Sequence, residues 1–127
     1  MSTATTVYNE GFIRECKTKL LEKKREILNR AQAARAEFSS LDKSGGDEAD
    51  QTMSLMAEND FLTAQQRLKD QLYEIELALA RVENGSFGIC EETLEMIETD
   101  RLRAIPWTRL SIEGAEIRES MQRRFAR

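Results

Sequence analysis

The chain has 127 residues, 40% of them hydrophobic and 33% charged, so it can bury one modest core but not two ordinary domains. A net charge of −4 argues against duplex-DNA binding, which needs a dense surplus of Lys and Arg, and a single proline favours long solvated helices over sheet. No stretch approaches the roughly 20 apolar residues that cross a bilayer, and the opening MSTATTVYNEGF lacks the basic and apolar runs of a signal peptide, so no membrane contact and a cytoplasmic location are expected.

Residues 1–11 show no period and are expected to be a flexible N-terminus. From Ile13 the series Ile13, Leu20, Ile27, Ala31, Ala34, Phe38, Leu41 keeps steps of three and four, with Lys17 and Lys24 filling the gaps. A second series runs Met53, Ala57, Phe61, Ala64, Leu68, Leu72, Ile75, Leu79, Val82. Two long helices follow, and the lysines inside the first seam are expected either to snorkel past smaller partners or to pair with acids such as Glu74 or Glu76 on the facing helix. Between the helices, Gly45 and Gly46 can take the positive φ angles that reverse a chain in few residues. The prediction is an antiparallel coiled-coil hairpin over 12–84 with its tip at 42–52, its arms about 30 residues and about 45 Å long.

Asn84-Gly85 supplies a left-handed cap to the second helix. The segment 85–127 changes character: 86–114 has mixed polarity and reads as a compact irregular module, and from Ala115 the apolar spacing Ile117, Met121, Phe125 predicts a short C-terminal helix packed on it. The fold class is therefore mainly α, a long hairpin plus a small globular module. The two cysteines, Cys16 and Cys90, stand far apart and imply free thiols rather than a disulfide framework.

The run Arg81-Val82-Glu83-Asn84-Gly85-Ser86-Phe87-Gly88-Ile89-Cys90-Glu91 resembles the G-x-F/Y-G-x-C start of the zinc finger in the DksA/TraR family of bacterial transcription factors. Arg101 to Pro106 and Leu110 to Glu113 resemble that family's R-L-x-A-x-P and L-C-I-x-C segments, in order and spacing. The resemblance covers about residues 12–124. It implies binding of RNA polymerase through its secondary channel, with the coiled-coil tip near the active centre, where it alters promoter complexes and the stringent response.

A family finger would place cysteine at the positions of Cys90, Thr93, Ser111 and Gly114, and only the first is present. Structural zinc needs four nitrogen or sulfur donors, and the chain has no histidine, so no metal or other cofactor is expected. Phe87, Ile89, Leu94, Ile97, Leu102, Ile105, Trp107, Leu110 and Ile112 are the residues expected to form an apolar core in its place, with Cys90 acting as a small buried hydrophobe.

At the tip, Asp47 and Asp50 stand three apart and project from one side of an emerging helix. Acids in a first helical turn also meet unpaired N–H groups and the positive dipole end, each contributing about 0.3 to 1 kcal/mol. The resemblance assigns them the family's D-x-x-D-x-A tip motif, with Thr52 where alanine is usual. The family positions that carry basic residues toward guanosine tetraphosphate fall on Glu74, Ile105 and Ala115, none of them basic, so that nucleotide is not expected as a ligand unless Arg101, Arg103 or Arg109 compensates.

The reading is thus a monomeric, non-enzymatic polymerase-binding regulator without direct sequence-specific DNA contacts. Two others stay open: a Gre-like transcript-cleavage factor, which also uses an acidic coiled-coil tip, and a non-catalytic coiled-coil adaptor, for which the tip acids would be dispensable.

Overall fold

The computed structural model describes residues 8–41 and 48–125. They form four helices, α1 (Glu10–Ser39), α2 (Glu48–Asn84), α3 (Thr99–Ala104) and α4 (Ile112–Phe125), with an isolated antiparallel bridge between Ile89 and Met96. The expected mainly helical architecture with a long hairpin is what forms. The chain divides into two compact units, residues 23–73 and residues 1–22 with 74–127.

In the first unit, α1 and α2 run antiparallel. Phe38 stacks on Phe61 with ring centroids 4.3 Å apart, and Gln65 donates its amide N–H to the Ala31 carbonyl at 3.2 Å. The sequence seam is corrected here at Ala64, which is exposed, while neighbouring Gln65 is half-buried. A glutamine can occupy that position because its polar end finds a backbone acceptor in the Ala31 carbonyl. Met53, Ala57 and Leu41, also assigned to the seams, are exposed.

In the second unit the start of α1, the end of α2 and the segment 85–125 share a core of Cys16, Leu20, Ile75, Ala78, Phe87, Cys90, Ile97 and Leu102. Asn9 caps α1, its side chain accepting from the Gly11 N–H and its carbonyl from the Ile13 N–H. The stretch 8–11, expected to be flexible, is therefore structured. At the other end of the hairpin Gly85 adopts φ +81° and the Ser86 N–H returns to the Arg81 carbonyl at 3.0 Å, the six-residue closure that Asn84-Gly85 predicts.

Three further expectations change. Lys17 pairs with Glu83 at 3.3 Å, the acid that the register of α1 on α2 sets opposite it, while Glu74 is held by Arg109. The C-terminal helix begins at Ile112 rather than Ala115, and it packs only through its first turns: Gly114 is buried, while Phe125 is 79% exposed. Leu94 and Ile112, assigned to the core, lie outside it. Leu94 is 76% exposed at φ +61°, where it closes a turn through its N–H to the Cys90 carbonyl at 2.9 Å. A left-handed turn needs that angle whatever the side chain, and an L-residue with a Cβ holds it at a cost of about 1–2 kcal/mol. Replacing Leu94 by glycine is expected to raise stability by about 1 kcal/mol, read as a higher urea midpoint at unchanged slope.

Candidate functional site

The four positions at which the finger family places ligands do converge. Cys90 and Ser111 are buried, and the Ser111 hydroxyl donates to Cys90 Sγ at 3.4 Å. The Thr93 N–H donates to the same sulfur at 3.4 Å. Ser111 stands just before α4 and also caps it, its Oγ accepting from the Gly114 N–H at 3.0 Å and its carbonyl from the Ala115 N–H at 2.8 Å. The Glu98 carboxylate accepts from the Ile112 N–H at 3.2 Å at the same helix start.

This donor set does not fit tetrahedral zinc. It offers one thiol, two hydroxyls and a glycine that has no side chain. The place of a fourth ligand is also filled, since a Cβ on Gly114 would lie 2.5 Å from Cys90 Sγ and 3.3 Å from both Ser111 Oγ and Glu92 Cβ. The sulfur has closed over the space, and hydrogen bonds take up the valences a metal would have used.

The thiol is correspondingly perturbed. Burial pushes Cys90 up, but hydrogen bonds from Ser111 and Thr93 outweigh it and bring the group down from 9.0 to about 7. The sequence reading of Cys90 as an inert small hydrophobe is right about burial and incomplete about polarity.

The open end of the same knuckle is held by a residue that the sequence reading missed. The Cys90 N–H donates to the Glu95 carbonyl and the Ile97 N–H to the Gly88 carbonyl, each at 2.8 Å, so 88–97 folds back on itself. The Tyr8 hydroxyl reaches both the Gly88 carbonyl, at 3.2 Å, and the Ile97 carbonyl. Gly88 must be glycine: its φ is +85°, and a Cβ would sit 2.2 Å from the Tyr8 ring. Burial, then the nearby Glu98 carboxylate, raises the Tyr8 pKa above its ordinary 10.0. Beside it Phe12 lies 5.3 Å from the Tyr8 ring and carries the Arg103 guanidinium 5.1 Å above its face. Nothing in the local sequence marks Tyr8, because its partners are some 80 residues away.

A cleft of about 460 Å³ in this unit is lined by Glu74, Arg101, Ile105, Trp107, Arg109 and Arg118 among others. Its cations are committed. Arg109 forms a two-pronged pair with Glu74 at 2.8 Å on both arms, Arg118 meets Glu92 at 3.0 Å and Glu91 at 3.5 Å, and Arg101 Nε donates to the Leu110 carbonyl at 2.8 Å. Arg103 is engaged elsewhere, with Glu15 at 3.3 Å. Of the tip residues, Asp47 lies outside the described residues, whereas Asp50 and Thr52 are exposed in the first turns of α2. Thr52 Oγ1 donates back to the Glu48 carbonyl at 3.1 Å.

Comparison with known proteins agrees with this geometry. Residues 85–120 match a family model described as the prokaryotic dksA/traR C4-type zinc finger. The chain is 34% identical over 115 residues to the RNA polymerase-binding transcription factor DksA of Caulobacter vibrioides, covering 91% of this chain and 81% of that protein. An uncharacterised protein of Aquifex aeolicus is 34% identical over 116 residues, covering 85% of this chain and 77% of its own length. Among solved structures, transcription factor DksA2 from Pseudomonas aeruginosa superposes with a TM-score of 0.82 at 30% identity, over 91% of this chain and 88% of that one.

Two outcomes test the metal-free finger. Chelator is expected to leave the melting midpoint unchanged, and elemental analysis to find no stoichiometric zinc; one zinc per chain would refute this. The sign for Cys90 follows from a folded value of about 7 below an ordinary 9.0: its stabilising effect is complete above about pH 9 and is lost as pH falls through about 7. Stability should therefore climb between those limits, and Ser111→Ala should flatten the climb, measured as urea midpoint against pH.

Proposed function

Because the chain belongs to the DksA/TraR family, we propose that it is a non-enzymatic transcription regulator that binds RNA polymerase through the secondary channel and acts on promoter complexes with an acidic coiled-coil tip. The observation that carries this is likeness to a polymerase-binding relative along nearly the whole chain, hairpin and finger together. The finger match separates this reading from that of a Gre-like cleavage factor. Exposure of Asp50 at the beginning of α2 supports a tip that presents carboxylates to magnesium, its ligands or basic channel residues. A soluble monomer in the cytoplasm suits this role, and no described helix is long and apolar enough to cross a membrane.

The protein works without guanosine tetraphosphate at the family position. Glu74 stands where a cation would meet phosphate, and it holds Arg109 through both arms of its carboxylate. The nearest replacement cation is thus internally neutralised, and a phosphate entering the cleft would meet the Glu74 charge. Calorimetry with the polymerase complex is expected to give no nucleotide binding that depends on Arg101 or Arg109; binding lost on mutating either would overturn this.

Replacing Asp47 and Asp50 together by asparagine separates tip charge from folding. Asparagine keeps the size and much of the helix-start hydrogen bonding, so the stability loss should be at most about 1–2 kcal/mol. Polymerase affinity should change little while open-complex lifetime returns to its value without the factor. Full activity of the double variant on sensitive promoters would reduce these acids to helix-start residues and favour the adaptor reading.

A further inference from the structure

We infer that the outgoing end of α4 is a self-recognition surface, on which two copies of the free chain pair antiparallel through Ile117, Met121 and Phe125; this goes beyond the functional reading above and does not depend on it. α4 packs on the finger through Gly114, Ala115 and Arg118, and Arg118 is its last residue that is not exposed. From Glu119 to Phe125 every residue is open to solvent, about two turns of helix that nothing covers among the described residues. A helix end without packing is marginal in water. Yet this one carries apolar residues at steps of four: Ile117 is 36% exposed, Met121 46% and Phe125 79%. At about 100° per residue each step turns the stripe by about 40°, and Met121 at its middle stands about 70° round the helix from the face on the finger.

Charge identifies the occupant. α4 carries Glu113, Glu116 and Glu119 against Arg118, Arg123 and Arg124, so the helix has no net charge and offers little to an anionic membrane or a nucleic acid. Arg118 is occupied by Glu91 and Glu92, and Arg123 by Glu119. Of the remaining charges, Glu113 at the start and Arg124 at the end stand closest to the stripe, both on the same flank, about 60–80° from Met121. About a twofold axis near Glu119, an antiparallel partner brings Met121 of one copy over Ile117 of the other and Arg124 over Glu113, each contact made twice. A parallel pair would set Glu113 against Glu113 and Arg124 against Arg124. Three side chains a copy cover at most about half of the ~800 Å² that a standard interface buries per partner, so the pair is weak. It forms at high concentration, and dilution returns the monomer that the functional reading uses.

Sedimentation equilibrium of the purified full chain tests this without polymerase, so its failure leaves the functional reading standing. The mean mass is expected to rise from one chain toward two between about 10 μM and about 500 μM, and less so at high salt. Ile117→Gln/Met121→Gln keeps the helix and removes the apolar stripe; it should weaken pairing at least about tenfold with the melting midpoint unchanged. Glu113→Arg and Arg124→Glu should each stay monomeric alone, because like charges then face each other across the axis, and an equimolar mixture of the two should pair again. Restoration by mixing separates a charge contact between copies from a folding defect in either variant. A wild-type chain that is monomeric throughout overturns the inference, as does pairing that the double glutamine variant or either charge variant leaves unchanged. Binding of the wild type to phosphatidylglycerol vesicles, lost in the double glutamine variant, would assign the stripe to a membrane surface and overturn it as well.

Discussion

The finger is organised around a sulfur atom whose usual partner is gone, and the consequences reach as far as the start of α1. A structural zinc site stabilises a small module by about 10–16 kcal/mol. Hydrogen bonds contribute about 0.5–1.5 kcal/mol each, so the two that Cys90 Sγ accepts and the one that Ser111 Oγ accepts cannot replace a metal by themselves. They can prevent the converging polar positions from being buried unsatisfied, which would cost about 1–3 kcal/mol per group. Cohesion then has to come from apolar burial, about 1.5–3 kcal/mol for each of Phe87, Ile97 and Leu102, and from clamping the knuckle where metal would otherwise have held it. Tyr8 supplies that clamp from outside the finger, and Gly88 and Gly114 are the two places where the backbone closes too tightly for a Cβ.

Charge is arranged on a different principle in each part of the chain. Around the cleft, Glu74, Glu91 and Glu92 neutralise Arg109 and Arg118 at short range, while Arg101 donates to the neutral Leu110 carbonyl and keeps its charge. Along the first half of α2, from Glu48 to Gln66, the charged residues of the helix are all acidic, and the basic residues of this unit lie before Glu48 or beyond Gln66 in the chain.

What could be read in the sequence was what repeats or punctuates: heptads, the Asn84-Gly85 cap, the order of the finger segments and the missing ligands. These depend on neighbours within one or two turns, or on residue identities that carry their chemistry with them. The errors have a common cause in long-range competition. Lys17 meets Glu83 rather than Glu74 because the register of α1 on α2 decides which acid lies opposite it. Gln65 displaced Ala64 from the seam because of a carbonyl on the other helix. Leu94 looks like core by type, yet the turn it closes points it to solvent. Tyr8 was invisible because no pattern in the first eleven residues speaks of Gly88 or Ile97.

The departure at the tip is smaller in chemistry than in spelling. Thr52 stands where the family motif has alanine, and a free hydroxyl there would add a donor and an acceptor to the start of α2. In the structure that hydroxyl is turned back onto the Glu48 carbonyl, a bond within the helix that uses its only proton. The donor is thus spent within the helix, and the side chain offers outward a methyl group and the acceptor side of its oxygen. The exchange costs about 0.6 kcal/mol in helix propensity and little in surface chemistry. Loss of the zinc ligands and this substitution therefore differ in weight: the first takes away the donors a tetrahedral metal needs, while the second leaves the carboxylates at the start of α2 as they are.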